Sequence, residues 1–134
     1  MTAKLIDGKA VAKQVREEVK EKVAKRVAAG KPKPGLATVL VGSDPASEVY
    51  VGMKKRMCER LGMESFSHTL PADASQKEVV SMVEKLNADP AVNGILVQLP
   101  LPDHLDEEKV LQAIDITKDI DGFHPINIGR LAQK

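Results

Sequence analysis

Valine recurs at every fourth position near the start of the chain, at Val11, Val15, Val19, Val23 and Val27, while lysine, arginine and glutamate fill the other faces. That spacing predicts a long amphipathic helix with one dry stripe, capped by Asp7 and stopped at Gly30. The "KPKPG" that follows cannot continue a helix. Leu36 to Gly42, "LATVLVG", is a nearly unbroken aliphatic run suited to a strand buried on both faces. Asp44 then stands at an N-cap position ahead of Pro45, and a second helix is expected to run to about Gly62. "SFSHTL", Ser65 to Leu70, alternates apolar and polar residues, as a less buried strand nearer an edge does. Ser75 and Glu78 form a capping-box pair ahead of Val79, Val80, Met82, Val83 and Leu86, a third helix. A third buried strand is expected over Ile95 to Leu99, halted by Pro100 and Pro102. "DEEKVLQAI" predicts a short helix, and "DITKDIDGFHPINIGR" reads as a closing loop.

Strands alternating with helices at this spacing imply βαβ crossovers. The fold class is therefore α/β, a parallel sheet of three to four strands between helices in three layers.

Length and composition narrow the class of function. At 134 residues the chain is read as a single domain. A formal net charge of +1 leaves no basic footprint for nucleic acid. With aromatics at only 2%, the core must be built from aliphatic side chains, so Tyr50, Phe66 and Phe123 are worth locating. Cys58 is the single cysteine and has no internal partner for a disulfide. No run is long and apolar enough for a membrane span, so a soluble cytoplasmic protein is expected.

In open parallel sheets, ligands collect outside the carboxyl ends of the strands. That rule selects Gly42 to Asp44, Gln98 to Pro102 and the "KDIDGF" loop. At ~100° per residue, Ala46, Val49, Met53, Met57 and Leu61 share one arc of the second helix, with Tyr50 inside its rim and Lys54 just beyond. Lys54 then reads two ways. It can snorkel while Tyr50 packs with its hydroxyl wet, or, desolvated beside other cations, it can act as base or acid with the phenol positioning it. Tyr-x-x-x-Lys is also the pair of the short-chain dehydrogenases, but no glycine-rich dinucleotide loop precedes Tyr50. Gln98 interrupts an apolar strand, and its amide needs a partner from backbone, water or ligand. Asp119 and Asp121 share a face if their segment is extended, where a carboxylate can accept two N–H bonds from an amino-heterocycle or cap a turn. An EF-hand registered on Gly122 would put Thr117 and Ile128 at acidic positions, and His68, His104, His124 and Cys58 lack ligand spacing, so no metal site is expected.

"VGSDPASEVYVGMKKRMCERLGM", "NADPAVNGILVQLPLP" and "KDIDGFHPINIGRL", in this order, closely resemble the bifunctional methylenetetrahydrofolate dehydrogenase/cyclohydrolase family. The likeness runs along essentially the whole chain, and Asn87, Asp89, Ile95 to Val97 and Gln98 to Pro100 satisfy its most specific signature. It implies that Lys54 is the catalytic lysine, that Tyr50 packs on the folate and helps place that lysine, and that Gln98 hydrogen-bonds near it. It further implies that Asp121 recognises the pterin, with Leu99 and Pro100 also lining the substrate site. The substrate would be a tetrahydrofolate derivative. NADP would be held by a second, Rossmann-like domain absent from residues 1–134, and the parent protein would be a homodimer without nucleic-acid or membrane partners. A carboxyl-terminal helix of the family returns to this domain, so an apolar patch is expected to lie exposed. The contrasting expectation is a non-catalytic domain that folds and binds folate without turnover.

Overall fold

A computed structural model describes residues 3–133; the ends of the expected single domain, residues 1, 2 and 134, lie outside the described residues. Three parallel strands form the sheet, β1 (Gly35–Val41), β2 (Glu64–Leu70) and β3 (Gly94–Val97), in the order β2-β1-β3. Val39 of β1 lies level with His68 of β2 and Val97 of β3, so β1, the most aliphatic run, takes the centre. The alternating segment at Ser65 to Leu70 is an edge strand, as its pattern predicts. An isolated parallel bridge between Ile95 and Asp119 lays a further short segment along the outer side of β3.

Because side chains alternate across a strand, Ala37, Val39, Val41, Ile95 and Val97 share one face. They pack against Val79, Val83 and Leu86 of α3 (Gln76–Ala88) and Val110 of α4 (Glu107–Ala113), with Leu101, Leu105 and Ile114 closing the cluster. The opposite face is covered by α2 (Pro45–Leu61), with α1 (Gly8–Ala28) lying on α2. The result is a three-layer α/β architecture.

Capping accounts for where the helices begin and end. The Asp7 carboxylate accepts from Lys9 N and Ala10 N, Asp44 from Ser47 N, and Ser75 and Glu78 form the reciprocal capping box. Gly62 ends α2 at φ 79°, a left-handed cap that favours glycine.

Four expectations need correction. The valine stripe of α1 is dry only at Val23; Val11 and Val15 are 55% and 50% exposed. α1 meets its neighbour near the end of α2, where Val23 lies against Gly62, and among the described residues no element covers most of the stripe. β3 ends at Val97, not Leu99, since the chain turns away from β1 after Gln98 N donates to Val39 O. The closing segment is not all loop, because Pro125–Ala132 forms α5, started by Pro125 at its first turn and by His124 Nδ1, which accepts from Ile126 N. α2 also presents a different face to the sheet from the one its apolar arc predicts, with direct consequences for Lys54.

Candidate functional site

Ala46, Val49 and Met53, three members of the expected arc, are exposed, while Ser47 and Cys58 are buried and Val51 and Lys54 half-buried. At ~100° per residue, Ser47, Val51, Lys54 and Cys58 fall within about 60° of one another, so Lys54 lies on the inward face, at one edge of that arc. The sheet surface beneath carries Thr38 and Ser67, whose hydroxyls lie 3.5 Å apart. Small side chains at Ser47 and Cys58 let the helix approach that surface. What reads in one dimension as a boundary lysine is turned toward the sheet.

Lys54 lies nine residues after Pro45, roughly 13 Å down the helix axis and away from the strands' carboxyl ends. Two features close that gap. Helical Cα–Cβ bonds tilt toward the N-terminus, so a lysine stem roughly 6 Å long points back up the helix. β3 also ends two residues earlier in register than β1, which drops Gln98 toward the ammonium. Lys54 Nζ donates to Gln98 Oε1 at 2.9 Å.

Gln98 is held at both ends of its amide. Its Nε2 donates to Leu99 O at 2.9 Å and its backbone N donates to Val39 O at 2.8 Å. A flipped amide would set two oxygens against each other at Leu99, so the oxygen is the end offered to Lys54. The protein itself thus satisfies the strand-end amide. Leu99 is half-buried against the core, its bond to Pro100 is cis, Pro100 is exposed, and Leu101 is buried. The "QLPLP" segment therefore projects Pro100 outward from an anchored base.

Asp121 arrives from the opposite side. The Ile95–Asp119 bridge runs parallel to β3, and Asp121 follows two residues beyond it. Its residue surface is exposed, yet its carboxyl is screened enough for desolvation to push its pKa above the ordinary value. The Lys54 ammonium opposes that rise and the Asp119 carboxylate adds to it. Lys54, Gln98 and Asp121, separated by up to 67 positions (54 to 121) in the sequence, therefore converge on one spot.

Tyr50, one turn before Lys54, is 56% exposed. Among the described residues its hydroxyl has no hydrogen-bond partner, so it is Gln98 that holds the ammonium. The phenol ring is left free beside the cluster, an open aromatic face for a flat ligand.

The other polar candidates have structural duties. The Asp119 carboxylate accepts from Gly122 N, His124 N and Asn127 Nδ2. His104 Nε2 lies 2.8 Å from Ala74 O, and burial pushes the Cys58 thiol up, with Glu59 adding to the effect. Among the described residues no group of three His, Cys, Asp or Glu side chains is arranged to hold a metal ion, and no helix is long and apolar enough to cross a membrane. A groove of about 500 Å³ lies between α1 and the end of α2, but its apolar lining of Val23, Val27 and Leu61 contains none of the converging groups. Convergent chemistry, not volume, marks the site.

Residues supporting the site from behind, Lys118 and Asn127 above all, escape sequence reasoning. The only hint is a lysine set between Thr117 and Asp119 in a segment otherwise poor in apolar periodicity.

Residues 6–121 match the family model described as the tetrahydrofolate dehydrogenase/cyclohydrolase catalytic domain. Among solved structures, the chain is similar to the bifunctional methylenetetrahydrofolate dehydrogenase/cyclohydrolase of Campylobacter jejuni, with TM-score 0.92 and 44% identity over 95% of this chain and 45% of that one. A 5,10-methylenetetrahydrofolate dehydrogenase from the silkworm Bombyx mori gives TM-score 0.91 and 42% identity, over 97% of this chain and 45% of its own. The Trypanosoma brucei dehydrogenase-cyclohydrolase, solved with NADP cofactor and inhibitor, gives 0.89 and 38%, over 98% and 45%. The chain spans about 45% of the length of these relatives.

Proposed function

The chain belongs to the tetrahydrofolate dehydrogenase/cyclohydrolase family, and from that premise we propose that residues 1–134 form the folate-binding catalytic domain of a one-carbon enzyme. Its parent activity is the NADP-dependent oxidation of 5,10-methylenetetrahydrofolate to the 5,10-methenyl cation, followed by hydrolysis to 10-formyltetrahydrofolate. The observation that carries this reading is the convergence on Lys54: Gln98 Oε1 at 2.9 Å and the Asp121 carboxyl acting on the same ammonium.

The described residues do not fit NADP. The helix that opens after β1, where a dinucleotide fold receives pyrophosphate, has its N-terminus occupied by the Asp44 carboxylate, 2.8 Å from Ser47 N. An anion already fills the place a phosphate would take. The cofactor site belongs to a second domain outside these residues.

Hydrolysis can be assigned to this chain's own groups. Tyr50 stacks on the flat folate, Leu99 and Pro100 bound the slot, and Asp121 accepts N–H bonds from the amino-pterin. The Lys54 amine takes a proton from water as the water oxygen bonds to the methenyl carbon. The same lysine returns that proton to the ring nitrogen as the carbon–nitrogen bond breaks. The second water proton leaves to solvent as the formyl carbonyl forms, so a cation and water yield a neutral product and one proton. Gln98 aims the amine throughout. A cytoplasmic location and a homodimer whose contacts lie outside these residues belong to the same proposal.

The test is methenyl hydrolysis followed by absorbance. Lys54→Met is expected to abolish turnover with folding intact, and a rate unchanged from the wild type removes the lysine from the mechanism. Folate binding without turnover by the wild-type chain favours the non-catalytic alternative.

A further inference from the structure

A dense polar network lies directly behind Asp121 and touches none of the groups assigned to substrate. Lys118 Nζ donates to the backbone carbonyls of Leu86, Asn87 and Asp89 at 3.2, 2.7 and 2.8 Å. These carbonyls lie at the C-terminal end of α3, where helical oxygens lack intrahelical partners and a cation is favoured. Lys118 O in turn accepts from Ile95 N at 2.8 Å, tying the same residue to β3. The start of the loop is thereby fixed to two elements of the core.

Asp119 fixes the rest. One carboxylate oxygen accepts from Gly122 N at 3.1 Å; the other accepts from His124 N at 3.0 Å and Asn127 Nδ2 at 2.9 Å. Asn127 Nδ2 also donates to Ile116 O at 3.0 Å, which closes the loop onto α5. Gly122, at φ 70°, supplies the left-handed turn this closure needs. Three N–H donors converge on one side chain, and Asp121 is carried at the apex of the turn they define. Such a carboxylate is committed to its own backbone and is not available to a ligand.

We infer that Asp119 is a positioning residue for the folate site, closing the turn that carries the Asp121 carboxyl on the Lys54 side of the loop. This role rests on the reading of the site proposed above. Electrostatics support it. Burial would push the Asp119 carboxyl up, but the Asn127, His124, Phe123 and Gly122 N–H groups outweigh that and hold it below the ordinary value, so it is an anion beside Asp121. The charges acting on Asp121 are Lys54, from α2, and Asp119, from its own loop; β3 carries no titratable side chain.

The test uses the 134-residue chain and 5-formyltetrahydrofolate, with affinity measured by calorimetry and the Asp121 carboxyl titration followed by carbon-detected NMR. Asp119→Asn is expected to weaken binding about tenfold and to move the Asp121 titration downward as the like charge disappears. In an Asp121→Asn background the same change is expected to cost no further affinity, because its effect travels through Asp121. An equal loss in both backgrounds overturns the positioning role. If Asp119→Asn loses its cooperative melt, Asn127→Ala removes one donor without altering charge and is read by the same double-mutant comparison. A wild-type chain that does not bind the probe, while the titration shift is still seen, overturns the folate reading instead.

Discussion

Lys54 Nζ and Gln98 Oε1 stand 2.9 Å apart, joining the middle of α2 to the residue just past β3. The bond spans the helix–sheet interface and fixes the direction in which the amine points. An amine must lie within hydrogen-bond reach of both water and the departing nitrogen to serve each in turn, so its aim matters as much as its presence.

Gln98→Leu removes the acceptor and leaves the shape nearly intact. The ammonium is then free to swing, and kcat/KM for methenyl hydrolysis is expected to fall about 10²-fold, the scale of a misplaced acid–base group. A rate within a factor of two of wild type detaches the amide from the chemistry.

Asp121→Asn is expected to weaken folate binding and to stabilise the fold at neutral pH. The folded-state pKa of Asp121 is raised, chiefly by desolvation. The unfolded chain therefore gives up this proton first as pH rises above 3.8, and stability is lost through that window and stays lost at pH 7. The amide carries no such penalty. Thermal melts at pH 7 that show the variant less stable than the parent contradict this account.

The helix caps predict the opposite response to acid. Asp44, Glu78 and Asp106 are held below their ordinary values, Asp44 and Glu78 chiefly by backbone N–H bonds from Ser47 and Ser75 and Asp106 chiefly by its side-chain bond with Lys109. A depressed carboxylate contributes stability that is present above its unfolded pKa and lost as pH falls through the folded one. The window opens near 4.5 for Glu78 and 3.8 for the two aspartates and extends downward. Asp44→Asn is expected to flatten the acid limb of a melting-temperature profile; an unchanged limb removes Asp44 from it.

The two valine- and isoleucine-rich surfaces differ in what they hold up. Ile95 is fully buried between β1 and the helices, and Ile95→Ala is expected to cost about 2–5 kcal/mol in urea unfolding. Val15 is half exposed on α1, and Val15→Ala is expected to change stability by less than about 0.5 kcal/mol. Comparable losses at both positions show that the α1 stripe is covered in solution.

Much of the fold was readable in one dimension because its signals are local. Asp7, Asp44 and the Ser75–Glu78 box cap their helices as their types and spacing require. The aliphatic run at Leu36 takes the sheet's centre because a strand buried on both faces has no room for polar alternation. α5 escaped notice because Gly129 and a single proline-led turn blur an eight-residue pattern.

The family resemblance implied that Lys54, Gln98 and Asp121 belong to one site, while residue type and spacing determined the first four helices and the three strands apart from the end of β3. Which way α2 turns was decided only by packing. Its most apolar arc leaves Val49 and Met53 exposed, and the small side chains of Ser47 and Cys58, not hydrophobic periodicity, bring Lys54 to face the sheet. The path of the loop behind Asp121 was likewise settled by bonds from Lys118 and Asp119 to backbone groups up to 32 residues away. Such long-range hydrogen bonds leave no period in the sequence, since their partners meet only once the chain has folded.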